Sequence, residues 1–282
     1  MEAKRIMRLL GKILMVLFLA SMTIITIYPV AYALLGSLKT NMELVLGKSF
    51  LPGKLHFENF VYAFQKARFA DYTINSIILC LLTTTFAIFM STLTGYCLAR
   101  HEFPGKKLLM SLYLSMMFIA VGAVSLYPQY MLMHKLGLTG SLFGLAIVLT
   151  GAQTTNTFLV MGFIKSVPKE LDESAVIDGS SAFRVYAQII LPVIRPIIAV
   201  VALFTFRGTW NDYLTSLVFT MSAKKLQPLT VAVVGLRYSA NAAAEWHIMA
   251  AGATIALMPV LIIYIFTNKQ FISGLTAGSV KG

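Results

Sequence analysis

Residues of catalytic types are sparse in this sequence and lack the spacing that chemistry needs. Its four histidines are scattered and do not have the spacing of metal ligands: His56, His101, His134 and His247. Neither an H-E-x-x-H nor a G-x-S-x-G motif is present, which argues against zinc-dependent and serine-dependent hydrolysis. Gly47-Lys48-Ser49 is a fragment of a phosphate-binding loop, but Met42 occupies the position of its first glycine. The residue types therefore argue against an enzyme.

The most polar stretch between the apolar runs begins at Ser166 and ends at Gly179. It predicts a short helix with Ser166 as its N-cap and with Pro168 in the first turn, where the missing N–H has no intrahelical partner. Acidic residues early in the stretch favour the positive end of the helix dipole. Gly179 supplies the left-handed residue that ends a helix. A second helix is expected to start at Ser180 or Ser181, which gives a helix–turn–helix.

The elements that position this loop are strongly apolar. Of 282 residues, 58% are hydrophobic and 12% are charged, and the mean hydropathy is +0.79. A soluble domain carries about 25% charged residues, so this composition indicates lipid surroundings. Runs of about 20 apolar residues cross a hydrocarbon core of about 30 Å. Six such runs are present: Ile13–Leu35, Ile74–Ala99, Leu108–Tyr127, Leu142–Ile164, Ile189–Phe206 and Ile248–Phe266.

The charge of the chain predicts orientation rather than a nucleic-acid partner. The formal net charge is +12, and lysines and arginines concentrate in the cytoplasmic loops beside membrane spans. This rule places segments 1–12, 100–107, 165–187 and 267–282 in the cytoplasm, so that both termini are cytoplasmic. The first apolar run exceeds the 7–15 residues of a signal-peptide core and is expected to remain as a span.

Three separated motifs resemble those of bacterial ABC import permeases. Glu173-Ser174-Ala175, Gly179 and Ile189-x-Leu191-Pro192 resemble the family's E-A-A…G…I-x-L-P pattern, with serine in place of its first alanine. The segment Trp210–Leu214 and the glycine-rich tail Gly274–Gly282 resemble the maltose-type carbohydrate permeases. The resemblance covers most of the chain from the second apolar run onward.

The resemblance implies an all-α membrane protein with six transmembrane helices and a type I ABC importer permease fold, placed in the bacterial cell membrane. The polar loop would be a cytoplasmic coupling helix seated on a separate ATPase. Its implied partners are a homologous second permease, two ATPase subunits, an extracytoplasmic solute-binding protein, a carbohydrate and membrane lipid. ATP and Mg would bind the ATPase, and no cofactor or metal is implied for this chain. The implied ATPase-coupling residues are Glu173, Ser174, Ala175, Asp178 and Gly179.

The chain is expected to divide into three parts. Residues 1–72 would hold the N-terminal lead, the first span and an outer loop with a short helix at Phe57–Lys66. Residues 73–267 would form a core of five spans, and residues 268–282 a cytoplasmic glycine-rich tail, whose part Gly274–Gly282 is not expected to fold alone. A second outer segment, Ser222–Trp246, resembles the loop that probes the binding protein's sugar site in maltose-type permeases.

Polar residues within or beside the spans are the candidates for a solute path, because polar groups in lipid tend to face a pathway or another helix. We therefore expect some of these to contact the solute and others to bond between helices. Arg207 would favour anionic solutes if it faces the cavity. The candidates are Gln153, Asn156, Arg207, Trp210, Asn211 and Asp212.

Two alternatives remain open from the sequence. An ABC permease for an amino acid, a peptide or another non-sugar solute would share the polar loop. An ion-coupled secondary transporter is the other alternative, but such proteins usually keep acidic residues near the midplane. No aspartate or glutamate lies inside any of the apolar runs.

Overall fold

The computed structural model describes residues 2–47, 49–66, 69–118, 122–151, 153–236 and 244–276. Over these ranges the chain consists of helices and connecting loops, with no β-strand. The predicted all-α class is therefore confirmed. The chain separates into two compact units, one formed by residues 1–69 and 233–257 and the other by residues 70–232 and 258–282.

The described α-helices are numbered here in chain order. The first nine are α1 Glu2–Gly36, α2 Asn41–Leu46, α3 Glu58–Lys66, α4 Phe69–Arg100, α5 Lys106–Phe118, α6 Leu126–Lys135, α7 Leu142–Leu149, α8 Thr154–Ser166 and α9 Glu170–Ile177. The others are α10 Ala182–Arg184, α11 Leu191–Val193, α12 Arg195–Trp210, α13 Leu214–Thr220, α14 Leu229–Gly235 and α15 Trp246–Thr276. A π-helical turn, Val185–Ile190, joins α10 to α11.

Long apolar helices account for part of the predicted membrane spans. Within the described ranges, three are long and apolar enough to cross a membrane: Leu9–Gly36, Phe69–Arg100 and Trp246–Ile265. Three pairs of shorter helices meet the same requirement only when each pair, bent by more than 40° at a short break, is taken as one span. The six predicted spans correspond to counting every bent pair, so the number six stays a prediction.

The bend of 80° that precedes α12 has a local cause. Pro196 has no N–H to donate to the carbonyl of Pro192, and its ring would clash with that carbonyl in a continuous helix. Ile197 instead donates its N–H to the carbonyl of Ile194 at 3.0 Å. The apolar run Ile189–Phe206, expected as one continuous helix, is therefore broken at its first third.

In the first unit, polar side chains fix the segment between α1 and α3. The helix predicted to end at Lys66 is α3, and buried Asn59 in it donates to the carbonyl of Ser37 at 2.9 Å. Helix α2, which was not predicted from the sequence, begins with a capping box between Thr40 and Glu43. The Thr40 N–H that bonds the Glu43 carboxylate lowers the pKa of Glu43.

In the second unit, a core of branched aliphatic residues supports the polar loop. It joins the ends of α4 and α8 to the helices that follow the loop, and includes Val160, Ile164, Val185, Ile190, Ile194 and Val200. Gly95 allows α4 to approach α8 closely, because a Cβ there would lie 2.8 Å from Val160 Cγ1.

Candidate functional site

The polar stretch forms a helix, α9, and ends as the sequence predicts. Gly179 has a φ of +81°, the left-handed conformation that glycine adopts without strain. The Gly179 N–H donates to the carbonyl of Val176 at 3.0 Å, and the Ser180 N–H donates to the carbonyl of Ala175 at 2.9 Å. These two bonds form a Schellman motif, which satisfies carbonyls at the helix end.

The start of α9 differs from the prediction. Ser166 is the last residue of α8, where its hydroxyl donates to the carbonyl of Phe163 at 2.7 Å, so it is not the N-cap of α9. Val167 is extended, as expected for a residue before proline, and this separates the two helices. Lys169 occupies the cap position without a side-chain cap bond, so α9 begins two residues after Pro168.

The helix after the turn begins as expected. Ser181 is extended and its hydroxyl accepts the N–H of Arg184 at 3.4 Å, which makes it the N-cap of α10. From there the chain continues through the π-helical turn to α11. The predicted helix–turn–helix is thus present, with Gly179 and Ser181 marking its turn.

The predicted coupling residues lie on two different faces of the loop. Ala175 is buried in the core of its own chain, so its small size serves internal packing. Glu173, Ser174, Asp178 and Gly179 are exposed. The two small residues of the motif were predicted to act alike, whereas in the structure Ser174 is exposed and Ala175 is buried.

Large apolar side chains accompany the exposed polar residues. Ile177 is 86% exposed, Phe183 is 68% exposed and Val176 is 59% exposed. We call these three residues the apolar edge of the loop. Composition alone did not single them out, although three apolar residues beside a polar turn in a non-spanning segment are a signal that could have done so.

Asp172, on α9, is held by the end of α4. Its Oδ2 lies 2.9 Å from Arg100 Nε in an ion pair whose side chains are only 16% and 5% exposed. Arg100 Nη2 also donates to the carbonyl of Val167 at 2.9 Å. This pair was not predicted from the sequence, because the two residues are far apart along the chain.

A second ion pair nearby is exposed. Lys106 Nζ lies 2.7 Å from Glu102 Oε1, and this hydrogen bond lowers the pKa of Glu102. The Glu102 side chain is 87% exposed, so solvent screens the pair and little stability is expected from it.

Of the predicted path residues, Asn156 bonds between helices. Its amide donates to the Gln153 side chain and to Thr205 Oγ1 of α12, the latter at 3.3 Å. Asn156 is buried, and Gln153 is half-buried at the break between α7 and α8.

Arg207 and Trp210 lie one turn apart on α12 but differ in environment. Trp210 is buried and stacks on Phe206, with ring centroids 5.5 Å apart. Arg207 is exposed and lines a groove together with Tyr264 and other residues of α12 and α15.

Asn211 and Asp212 follow α12. The Asn211 side chain is exposed and donates to the carbonyl of Arg207 at 2.9 Å. Asp212 Oδ2 accepts both the N–H and the hydroxyl of Ser216 at 2.7 Å, which fixes the start of α13. Its carboxylate therefore has a structural role.

The segment Ser222–Trp246 contains more structure than the sequence predicted. It includes α14, where the Leu229 N–H donates to Ser76 Oγ at 2.8 Å and the Thr230 hydroxyl donates to the carbonyl of Trp210 at 2.6 Å. Its Tyr238–Asn241 portion lies outside the described residues. The tail expected from residue 268 is helical up to Thr276, the last residue of α15, and residues 277–282 lie outside the described part.

A comparison with protein families identifies the family of this chain. The family described as "Binding-protein-dependent transport system inner membrane component" matches residues 60–275, more than half of the chain. The chain belongs to this family. It is therefore a multi-pass inner-membrane component of a binding-protein-dependent transport system.

Individual members of the family are similar over the whole chain. The maltodextrin transport system permease protein MdxG of Bacillus subtilis (strain 168) is 31% identical over 98% of each chain. The galactooligosaccharides transport system permease protein GanQ of the same organism is 32% identical over 100% of this chain and 99% of its own. A crystallised bacterial ABC transporter involved in alginate import matches with a TM-score of 0.80 at 21% identity, over 94% of this chain and 97% of its own, which shows the same fold.

Membership of the inner-membrane component family agrees with the kinds of residues at the candidate site. The helix–turn–helix presents carboxylates, a hydroxyl and apolar side chains. In the described ranges no cluster of three or more histidines, cysteines or acidic residues could hold a metal ion.

Proposed function

We propose that this chain is the membrane-spanning permease subunit of an ATP-driven importer of oligosaccharides, and that α9 docks a separate ATPase subunit. The observation that carries the docking role is the division of the helix–turn–helix into two faces. Ala175 packs into the chain's own core, whereas Ile177 and Phe183 remain exposed. Exposed apolar residues accompanied by polar ones are typical of protein interaction sites, and here Glu173 and Ser174 are exposed on the same helix as Ile177.

In this proposal the ATPase supplies the energy from the cytoplasm. Concentrating a solute a thousandfold costs about 4 kcal/mol. ATP and Mg bind the ATPase, and closure of two such subunits moves the surface on which α9 rests. The basic segments of the sequence support an orientation with both termini and the loop in the cytoplasm. A homologous second permease and an extracytoplasmic binding protein complete the importer.

The names of the relatives support an oligosaccharide as the solute. MdxG is named for maltodextrin and GanQ for galactooligosaccharides, and both are sugar oligomers. The similarity extends over nearly the whole of each chain, including the part beyond the polar loop. The path would be shared with the second permease, and the binding protein would make the first selection.

Exposed or half-buried candidates are best placed to contact the solute. Arg207 and Asn211 are exposed and Gln153 is half-buried, whereas Asn156 is buried and Asp212 accepts both bonds from Ser216. Arg207→Met tests whether the guanidinium selects anionic sugars. We expect uptake of acidic oligosaccharides to fall relative to neutral ones, and equal uptake of both would contradict that role.

The docking role is tested by the double substitution Glu173→Lys with Gly179→Leu. The first reverses the charge of that exposed side chain, and the second places a side chain in a left-handed conformation that strains the turn. We expect the ATPase to be lost from the purified complex and solute uptake to stop. Glu102→Gln is the control, because it removes an exposed carboxylate in the preceding loop. Retention of both ATPase and uptake in the double variant would refute docking through α9.

A further inference from the structure

Three polar residues near the end of α4 lie on one face of that helix. Thr92, Tyr96 and Arg100 are spaced four residues apart, and residues at this spacing are neighbours along a helix surface. We call them the α4 contact face. All three side chains are buried or nearly so, although they are polar or charged.

Arg100 contacts the first arm of the helix–turn–helix, which is α9 together with the residues that link it to α8. Its Nε lies 2.9 Å from Asp172 Oδ2, and its Nη2 donates to the carbonyls of Val167 and Pro168 at 2.9 and 3.4 Å. One guanidinium therefore contacts both α9 and the short link that precedes it. A planar guanidinium with several donors suits this task, whereas the single ammonium group of lysine does not.

Tyr96 and Thr92 extend the contact to the second arm, which is the helical segment that follows Gly179. The Tyr96 hydroxyl donates to Asp172 Oδ1 at 3.5 Å, and its ring lies 5.5 Å from the ring of Tyr186. The Tyr186 hydroxyl in turn bonds to Thr92 Oγ1 at 2.8 Å. Tyr186 belongs to the π-helical turn beyond Gly179. The α4 contact face thus holds both arms of the loop through directional polar contacts.

We propose that the α4 contact face transmits displacement of the loop into α4, with Arg100 as the positioning residue. The proposal rests on the proposed function, since it assumes that α9 receives movement from an ATPase. The loop is continuous in sequence with α8 and with the helices leading to α12, so movement reaches those helices through the backbone. Among the described residues, the loop meets α4, a helix of 32 residues that is long and apolar enough to cross a membrane, through the side chains of α4. The apolar core also links the loop to α4, through Tyr96 and Ala175 among others, but the polar contacts are the ones that fix the position of the loop against that helix.

The test uses the assembled importer, with the second permease and the ATPase, reconstituted in lipid vesicles. ATP hydrolysis is measured with and without the solute-binding protein, and the ratio of the two rates reports coupling across the membrane. In Arg100→Met we expect an assembled complex whose stimulation ratio falls about tenfold, since a hydrogen-bonded charge is lost. Arg100→Lys should restore part of the ratio because it keeps the charge. Glu102→Gln, which breaks the exposed ion pair in the next loop, should leave the ratio unchanged.

Asp172→Asn provides a second variant that changes no side-chain volume, and it should lower the ratio in the same direction as Arg100→Met. An unchanged ratio in either of these variants would overturn the proposal. So would failure of both to assemble, because the contacts would then serve folding alone. The proposed function fails separately: it is refuted if the Glu173→Lys and Gly179→Leu double variant keeps its ATPase, whatever Arg100 variants do.

Discussion

Truncating Ile177 to alanine should weaken binding of the ATPase without destabilising this chain. The side chain is 86% exposed, so its removal should change the free energy of unfolding by no more than about 0.5 kcal/mol. If docking buries it, the substitution removes three carbon atoms from the interface. At about 0.8 kcal/mol for each buried methylene, the loss is roughly 2 kcal/mol, which raises the Kd about 30-fold.

The assay measures the affinity of the purified ATPase for the permease pair held in lipid nanodiscs. Immobilised nanodiscs and a concentration series of ATPase give Kd directly, and thermal unfolding of the same preparations reports the stability of the permease. Leu51→Ala is the matched control, because Leu51 is also a large exposed aliphatic residue, at 64%, but lies between α2 and α3. We expect its Kd to match that of the unchanged protein.

Two outcomes would refute this reasoning. A Kd for Ile177→Ala within about twofold of the control would mean that the ATPase does not bury this side chain, since a twofold change corresponds to only about 0.4 kcal/mol. An equal loss of affinity in Leu51→Ala would show that the effect is not specific to the apolar edge.

Three further substitutions test the structure that supports the site. Gly179→Ala places a Cβ at a φ of +81° and should destabilise the permease by about 1–2 kcal/mol, seen as a lower Tm. Gly95→Ala puts a Cβ 2.8 Å from Val160 Cγ1. The overpacking should destabilise the permease by about 1–3 kcal/mol, which should exceed the stabilisation of about 1 kcal/mol from the higher helix propensity of alanine. A raised Tm would contradict the close packing of α4 on α8. Asp212→Ala removes the acceptor for Ser216 and should cost about 1 kcal/mol, with uptake unchanged if the carboxylate only holds α13.

Features set by local chemistry could be predicted from the sequence. The end of α9 at Gly179 and the start of the next helix, predicted at Ser180 or Ser181, depend on residues within a few positions, and α3 was placed to within one residue. The long apolar helices follow from composition, because a span needs about 20 apolar residues whatever it packs against. The predicted start of α9 was wrong because two local rules competed at Ser166. The serine could have capped α9, but the extended residue before Pro168 ended α8 there instead.

Features set by tertiary contacts could not be predicted. The sequence indicates that Ala175 is small, but only the packed core shows that it faces its own chain. Likewise, Arg100 appeared as one of several basic residues flanking a span, and its pairing with Asp172 depends on how α4 packs beside the loop. The groove beside Arg207 depends on the approach of α12 and α15 within the second unit. Each of these requires distances between segments that periodicity does not specify.

The burial of the Arg100–Asp172 pair itself argues for transmission rather than stability. Desolvating two charges offsets much of their attraction, and replacing a buried pair by apolar residues is often neutral or stabilising by about 1–4 kcal/mol. Apolar surfaces, however, can slide past each other, whereas the ion pair to Asp172 and the two carbonyl contacts fix the position of α9 and of the link before it against α4. The double variant Arg100→Met with Asp172→Leu should therefore keep or raise the Tm while the stimulation of ATP hydrolysis by the binding protein falls. A variant that keeps both its Tm and its stimulation would show that apolar packing transmits movement equally well, and that the charges have no role in coupling.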